Sequence, residues 1–255
     1  MPVVAYSELD PAGSNIAKQL EGMRGNHKLE LISISSSLLD CEKEVSKIKT
    51  DLIIFLSKHR SEKGVPTFTA HMPGNWTIAE MGGKAGELCI TDPFAFKAIS
   101  IELNETAKLR KIPFGFTLET DHHGPLIDVP CLFVELGSSE KEWNNEKAAA
   151  VVAESVLNGI DKMKKIKPDR IALGVGGGHY CPAFTKLQLE NNVAFTHLLP
   201  KYDVTYLTFE TFEQGIKRST KKADVVFIDW KGLKKEQREK IIEFCKRAEV
   251  EWEKI

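Results

Sequence analysis

The sequence predicts an α/β fold with a mostly parallel or mixed central sheet and helices on both faces. Three observations predict it. Short aliphatic runs recur without alternation, as in strands buried on both faces; amphipathic stretches separate them; and Gly-, Pro- and His-rich loops follow several of them. Residues 2–6, 29–34, 52–56, 114–119 and 131–136 read as strands, as do 171–175, 194–199, 205–207 and 225–229. Residues 15–23 read as a short helix. Residues 94–111 show helical periodicity and stop before Pro113. The longest helix is expected over 142–165, its Ala148–Val152 centre packed and Lys162, Lys164, Lys165 and Lys167 at its negative pole. Charged amphipathic helices are expected over 209–223 and 234–250. No linker or repeat divides the chain, so residues 1–255 are expected to form one domain. Residues 58–91, polar and rich in Gly and Pro, read as one long functional loop.

Charge and cysteine usage narrow the function classes. With 35 basic against 36 acidic residues, net charge −1, no global basic field marks a nucleic-acid binder, and any RNA contact needs a local patch. Candidate patches are 162–170, Lys217–Arg218 with Lys221–Lys222, and 231–247, all of them compatible with ordinary solvated helices. The first residues lack the basic and apolar regions of a signal peptide, and no apolar run reaches membrane length. Five scattered cysteines without a CxxC pair suit reduced thiols in a cytoplasmic protein.

The chemistry concentrates after the strands. His59 follows the third strand; His71 lies in the long loop; His122 and His123 follow the strand ending at Glu119; His179 closes the run Gly174-Val175-Gly176-Gly177-Gly178. Open α/β sheets bind ligands beyond the carboxyl ends of their strands, so these loops are expected to converge on one cleft. Neutral imidazoles with a carboxylate suit a zinc site that keeps a position open for water. Candidate ligands are His59, His71, His122, His123 and Asp121, with Glu119, Glu135 and Glu80 as further carboxylates. Neighbouring side chains on a strand point opposite ways, so only one of His122 and His123 is expected to enter the cleft. The glycine run matches neither a P-loop nor a dinucleotide fingerprint. Its amides at Gly176, Gly177 and Gly178 are candidates for holding an oxyanion or a phosphate. A tight strand-to-helix turn is the plainer reading. Cys131 and Cys181 read as small buried hydrophobes rather than nucleophiles, and Ser57 and Ser61 lack a nucleophile elbow.

Five stretches together resemble the archaeal-type D-aminoacyl-tRNA deacylases. They are Ser57-Lys58-His59-Arg60-Ser61, Thr69-Ala70-His71-Met72-Pro73-Gly74-Asn75-Trp76, Thr120-Asp121-His122-His123-Gly124-Pro125, Phe133-Val134-Glu135-Leu136-Gly137-Ser138-Ser139 and Gly174-Val175-Gly176-Gly177-Gly178-His179-Tyr180. The resemblance implies a monomeric, zinc-dependent enzyme that hydrolyses D-aminoacyl-tRNA to free D-amino acid and tRNA, a chiral proofreading activity. It also implies a core like those of the phosphorylase/hydrolase-like and peptidyl-tRNA hydrolase folds. Within that frame Glu135 is a candidate fourth metal ligand or catalytic carboxylate. His179 is the candidate general acid toward the departing 3′ oxygen. Arg60 and Tyr180 are candidates for substrate binding, and Trp76 or Phe184 for the wall that rejects an L side chain. Two alternatives remain at this level: a zinc peptidase or amidohydrolase on a similar core, and a non-catalytic RNA- or nucleotide-binding module.

Overall fold

The computed structural model describes all 255 residues. The chain opens with β1 (Val3–Ser7), α1 (Pro11–Met23), β2 (Glu30–Ile34), α2 (Glu42–Val45), β3 (Ile53–Arg60) and β4 (Thr67–His71). It continues with α3 (Pro93–Leu109), β5 (Gly115–Leu118), β6 (Cys131–Ser138), α4 (Glu140–Trp143) and α5 (Glu146–Met163). It ends with β7 (Arg170–Val175), α6 (Pro182–Glu190), β8 (Val193–Leu199), α7 (Phe209–Lys217), β9 (Val225–Ile228), α8 (Lys235–Arg247) and β10 (Glu251–Lys254). No helix is long and apolar enough to cross a membrane.

The strands form two sheets, not one. The larger runs β2-β1-β3-β6-β4-β5, the smaller β10-β9-β7-β8. All pairings are parallel except β4 against β6. A cluster of 37 buried residues spans both sheets, joining Val4, Leu56, Leu132 and Val134 of the larger to Phe195 and Phe227 of the smaller. Helices α1, α3 and α5 supply its other half through residues such as Ile16, Phe96, Ile99 and Val152. The far face of the larger sheet is covered by short helices and loops, through Leu38, Val45, Cys89 and Ile127. That of the smaller sheet is covered by α7 and α8 through Phe212, Ile216, Ile241 and Cys245.

Several boundaries moved for identifiable reasons. Helix α1 begins at Pro11 because Asp10 caps it, its Oδ1 accepting from Gly13 N at 2.8 Å, while Pro11 needs no amide partner there. The helix expected over 142–165 is split, because α4 ends at its C-cap Asn144 and Asn145 caps α5 by accepting from Ala148 N. Residues 58–91 are not one irregular loop. Strand β3 runs on to Arg60, and β4 occupies the middle, half-hidden in sequence by Gly64 and Pro66 on one side and Pro73 and Gly74 on the other. Residues 205–207 form no strand; Tyr206 N and Leu207 N instead close a turn on Asp203 O. Helix α6 and strand β10 had no clear periodic signal, one being short and the other, Glu251–Lys254, exposed throughout.

Candidate active site

Strand register explains why this site forms. Side chains two apart on a strand share a face. Ser57 of β3 stands opposite Glu135 of β6, which stands opposite Thr69 of β4. One face of the larger sheet therefore carries Ser57 and His59, Glu135 and Gly137, and Thr69 and His71. Ile54, Leu56, Leu132, Val134, Phe68 and Ala70 alternate with them and face the helices of the main core. Beyond β5, Glu119 follows the buried Leu118 and falls on the polar face. Gly137 makes room: a Cβ there would stand 2.7 Å from both Cβ and Cδ2 of His59.

Glu119 is the centre of the group. Its side chain is fully buried, with His59 Nδ1 at 2.9 Å from one oxygen and His179 Nε2 at 3.0 Å and His122 Nε2 at 3.6 Å from the other. Neither oxygen has a well-aligned hydrogen bond despite these short contacts. Burial opposes ionisation, but the surrounding imidazoles win and hold the carboxyl well below its usual range. Glu135 accepts from Ser57 Oγ at 2.5 Å and Thr69 Oγ1 at 3.2 Å, and lies 3.5 Å from His59 Nδ1 and 3.6 Å from His71 Nε2. Its carboxyl is likewise lowered, against burial, by His59 and His71.

The histidines divide into two kinds. Against burial, which would lower it, contact with Glu119 and Glu135 raises His59 to about 11. Its other nitrogen, Nε2, meets Tyr180 Oη at 2.7 Å, so both ring nitrogens are engaged. His71, His122 and His123 differ. Each turns Nδ1 toward a backbone carbonyl: Met72 O at 3.2 Å, Thr120 O at 2.8 Å and Gly124 O at 2.6 Å. A carbonyl only accepts, so Nδ1 carries a proton; in His122 and His123 Nε2 is left with its lone pair, whereas His71, against burial, is raised by contact with Glu135. His71 Nε2 is buried and has no hydrogen-bond partner. Burial, reinforced by neighbouring imidazoles, pulls His122 well down and His123 to about 4, which keeps both neutral. Metal-binding histidines are commonly oriented in this way, by a carbonyl on the nitrogen that does not bind. One donor atom from each of these three lies within 4.8 Å of the others, and the same holds for His59, Glu119 and His179 and for His71, Glu119 and Glu135.

Both His122 and His123 enter the cleft, contrary to the expectation that only one would. They do not lie on a strand. His123 has φ 51°, a left-handed conformation rare outside glycine, and this turn brings the two rings to 4.4 Å of each other. His59, His122, His123, Glu119, Glu135 and His179 all line a cavity of about 590 Å³. Arg60 also lines it, and its apolar lining is Leu9, Leu38, Leu39, Met81 and Phe133.

Three expected site residues lie elsewhere. Asp121 is no part of the donor groups; its Oδ2 pairs with His197 Nδ1 at 2.6 Å and its Oδ1 accepts from Leu198 N, both fully buried. Trp76, 2% exposed, packs in the second core with Leu173 and Phe212. Phe184 is buried edge-on to Phe195, 5.3 Å between centroids. Neither aromatic can wall the cavity, because core packing has taken both faces. In the glycine run, the Gly176 amide is committed to Leu199 O at 2.8 Å, and a Cβ there would stand 2.6 Å from Asp229 Cβ. The amides of Gly177 and Gly178 have no partner in the protein. Glu119, only one of four open carboxylates in the sequence, emerges as central; its signal was its place one residue past a buried strand end.

Fold and site together define an α/β protein with a buried histidine–carboxylate centre, built on one face of a mixed sheet and opening into a small-molecule-sized pocket. The family described as D-aminoacyl-tRNA deacylase matches residues 46–253. A D-aminoacyl-tRNA deacylase of Pyrococcus furiosus is 34% identical over 274 aligned residues, covering 99% of each chain. That of Methanococcus maripaludis is 34% identical, covering 98% of this chain and 97% of its own. That of Thermococcus onnurineus is 42% identical over 74% of this chain and 68% of its own. A crystal structure described only as a conserved protein of unknown function superimposes with a TM-score of 0.91 at 32% identity, covering 100% of this chain and 95% of that one. The chain belongs to the D-aminoacyl-tRNA deacylase family.

Proposed function

We propose that the pocket hydrolyses the ester linking a D-amino acid to the terminal ribose of tRNA, with zinc as the resident metal. The observation that carries the reading is the set of three imidazoles, each oriented by a backbone carbonyl on Nδ1, beside a buried carboxylate that lacks aligned donors. This donor chemistry fits zinc. His71, His122 and His123 would hold it, with Glu119 as the neighbouring carboxylate. When bound, zinc supplies Lewis acidity that lowers the pKa of a coordinated water towards ~7.

The chain's own residues do the rest. Glu135, fixed by Ser57 and Thr69, and Glu119 together orient His59 and keep it cationic. That charge lies beneath the pocket, where negative charge develops on the ester carbonyl. The unpartnered amides of Gly177 and Gly178 receive that oxyanion or the adjacent ribose phosphate. His179 is the most exposed of the clustered histidines, with 43% of its side chain accessible, and touches Glu119 through Nε2. It hands a proton to the departing 3′ oxygen. The amino-acid side chain packs against Leu38, Met81 and Phe133.

The test is hydrolysis of matched D- and L-aminoacyl-tRNA before and after chelation, with zinc restored. Rapid, D-selective, zinc-restored cleavage is expected. D-selective cleavage untouched by exhaustive chelation would remove the metal from the scheme, and absence of cleavage would remove the function.

A further inference from the structure

The rim of the pocket departs from the rest of the surface. Leu9 and Met81, which line the cavity, are 67% and 55% exposed. The segment Pro200–Leu207, which meets the glycine loop through Lys201 N and Gly177 O, displays two aromatic rings, Tyr202 at 52% and Tyr206 at 78% exposed. Soluble proteins seldom leave such side chains grouped in water without a binding role.

This segment is built onto the site. Lys201 N donates to Gly177 O at 3.1 Å, and Tyr202 lies beside Thr120, whose hydroxyl donates to Gly178 O at 3.2 Å. It is also held rigidly. Asp203 N closes a turn on Pro200 O, Tyr206 N and Leu207 N bond Asp203 O, and the Asp203 carboxylate accepts from Thr77. From α8, Lys240 Nζ donates to Thr205 O at 2.8 Å and Gln237 Nε2 to Lys201 O at 3.0 Å. The exposed Lys201 has no carboxylate within ion-pair distance, nor has Lys234 at the start of α8 or Lys240 within it. Two ordered rings with unpaired cations match what proteins use for single-stranded nucleic acid, where bases stack on aromatics and phosphates meet lysines.

We propose that Tyr202 and Tyr206 form a stacking ledge for the unpaired bases at the 3′ end of the tRNA substrate, with Lys201 contacting its phosphates. The inference rests on the function proposed above. An esterified terminal ribose in the pocket requires the preceding unpaired nucleotides to leave across its rim. This segment borders the glycine loop that the ribose phosphate would meet.

The experiment compares wild type, Tyr206→Ala, Tyr206→Phe and Trp252→Ala, the last an exposed aromatic on β10. KM and kcat are read on D-aminoacyl-tRNA, and Kd on a short unacylated RNA ending in the tRNA 3′ sequence. Tyr206→Ala is expected to raise KM and Kd about 5- to 100-fold, with kcat at saturation within about twofold. Tyr206→Phe, which keeps the ring, and Trp252→Ala should stay within about twofold of wild type. Tyr206→Ala with unchanged KM and Kd, or Trp252→Ala impaired equally, would overturn the ledge. Should wild type hydrolyse no D-aminoacyl-tRNA, the function proposed above fails, and the RNA Kd series still decides the ledge by itself.

Discussion

Asp121 separates a structural carboxylate from a metal-binding one, and the difference is measurable. The carboxylate accepts from His197 Nδ1 at 2.6 Å and from Leu198 N at 2.9 Å, while His197 Nε2 faces Arg218 O at 3.1 Å. The His197 ring therefore has a polar partner at each nitrogen, the Asp121 carboxyl on one side and a carbonyl on the other. Both side chains are inaccessible to solvent. Asp121→Ala leaves His197 Nδ1 and the Leu198 amide buried without partners, a loss of about 3–5 kcal/mol. Burial outweighs the His197 contact and pushes the Asp121 carboxyl up, so the lower end is expected. At roughly 2–4 °C per kcal/mol for a chain of this size, Tm should fall by about 10 °C. Asp121→Asn is different. Its oxygen still accepts from Leu198, and a neutral His197 protonated at Nε2 accepts from the new amide, so both hydrogen bonds survive. Its stability should stay within about 1 kcal/mol of wild type. Calorimetry gives Tm, and metal analysis gives zinc per chain. Asp121→Asn should retain wild-type zinc, because the side chain lies outside the donor groups. Loss of zinc in Asp121→Asn, or a stable Asp121→Ala, would refute this reasoning.

Three further outcomes are expected. Gly137→Ala places a methyl 2.7 Å from the His59 ring and should lower kcat/KM about 10- to 100-fold, read by single-turnover hydrolysis; full activity would show that His59 tolerates displacement. His123→Ala removes one of three Nε2 donors and should weaken zinc binding at least about 10-fold in a competition titration, whereas unchanged affinity would exclude this histidine as a ligand. Lys97 donates from a buried ammonium to the carbonyls of Gln188, Asn191 and Val193, closing the end of α6, so Lys97→Met should cost about 3 kcal/mol in urea unfolding without changing the pocket. A loss below about 1 kcal/mol would show that water replaces those bonds.

Much of the fold was legible because burial writes itself into local pattern. Strands such as Ile53–Leu56 within β3 and Val225–Ile228 are apolar runs buried on both faces of their sheets. The gathering of His59, His71, His122, His123 and His179 was also expected, from places after predicted strands or in the loops that follow them, although His59 and His71 lie within β3 and β4. What was hidden depends on pairing between distant segments. The spacings Ser57-x-His59, Thr69-x-His71 and Glu135-x-Gly137 are plain in sequence, but only the register of β3, β6 and β4 turns them into one surface. Asp121 beside two histidines looks like a ligand until β8 brings His197 against it. Trp76 lies in a conspicuous motif, yet its burial is decided by α7, more than a hundred residues away, where Gly215 leaves space for the indole.

The most direct test is single-turnover hydrolysis of one aminoacyl-tRNA prepared with D- and with L-amino acid, by wild type and by Glu119→Gln. Glu119 is the buried carboxylate around which the histidines are arranged. Wild type should cleave the D-ester selectively, and Glu119→Gln, while folded, should be slower by about 10²-fold or more. Equal rates for the two proteins, or equal rates on the D- and L-esters by wild type, would contradict the assignment of chiral deacylation to this pocket.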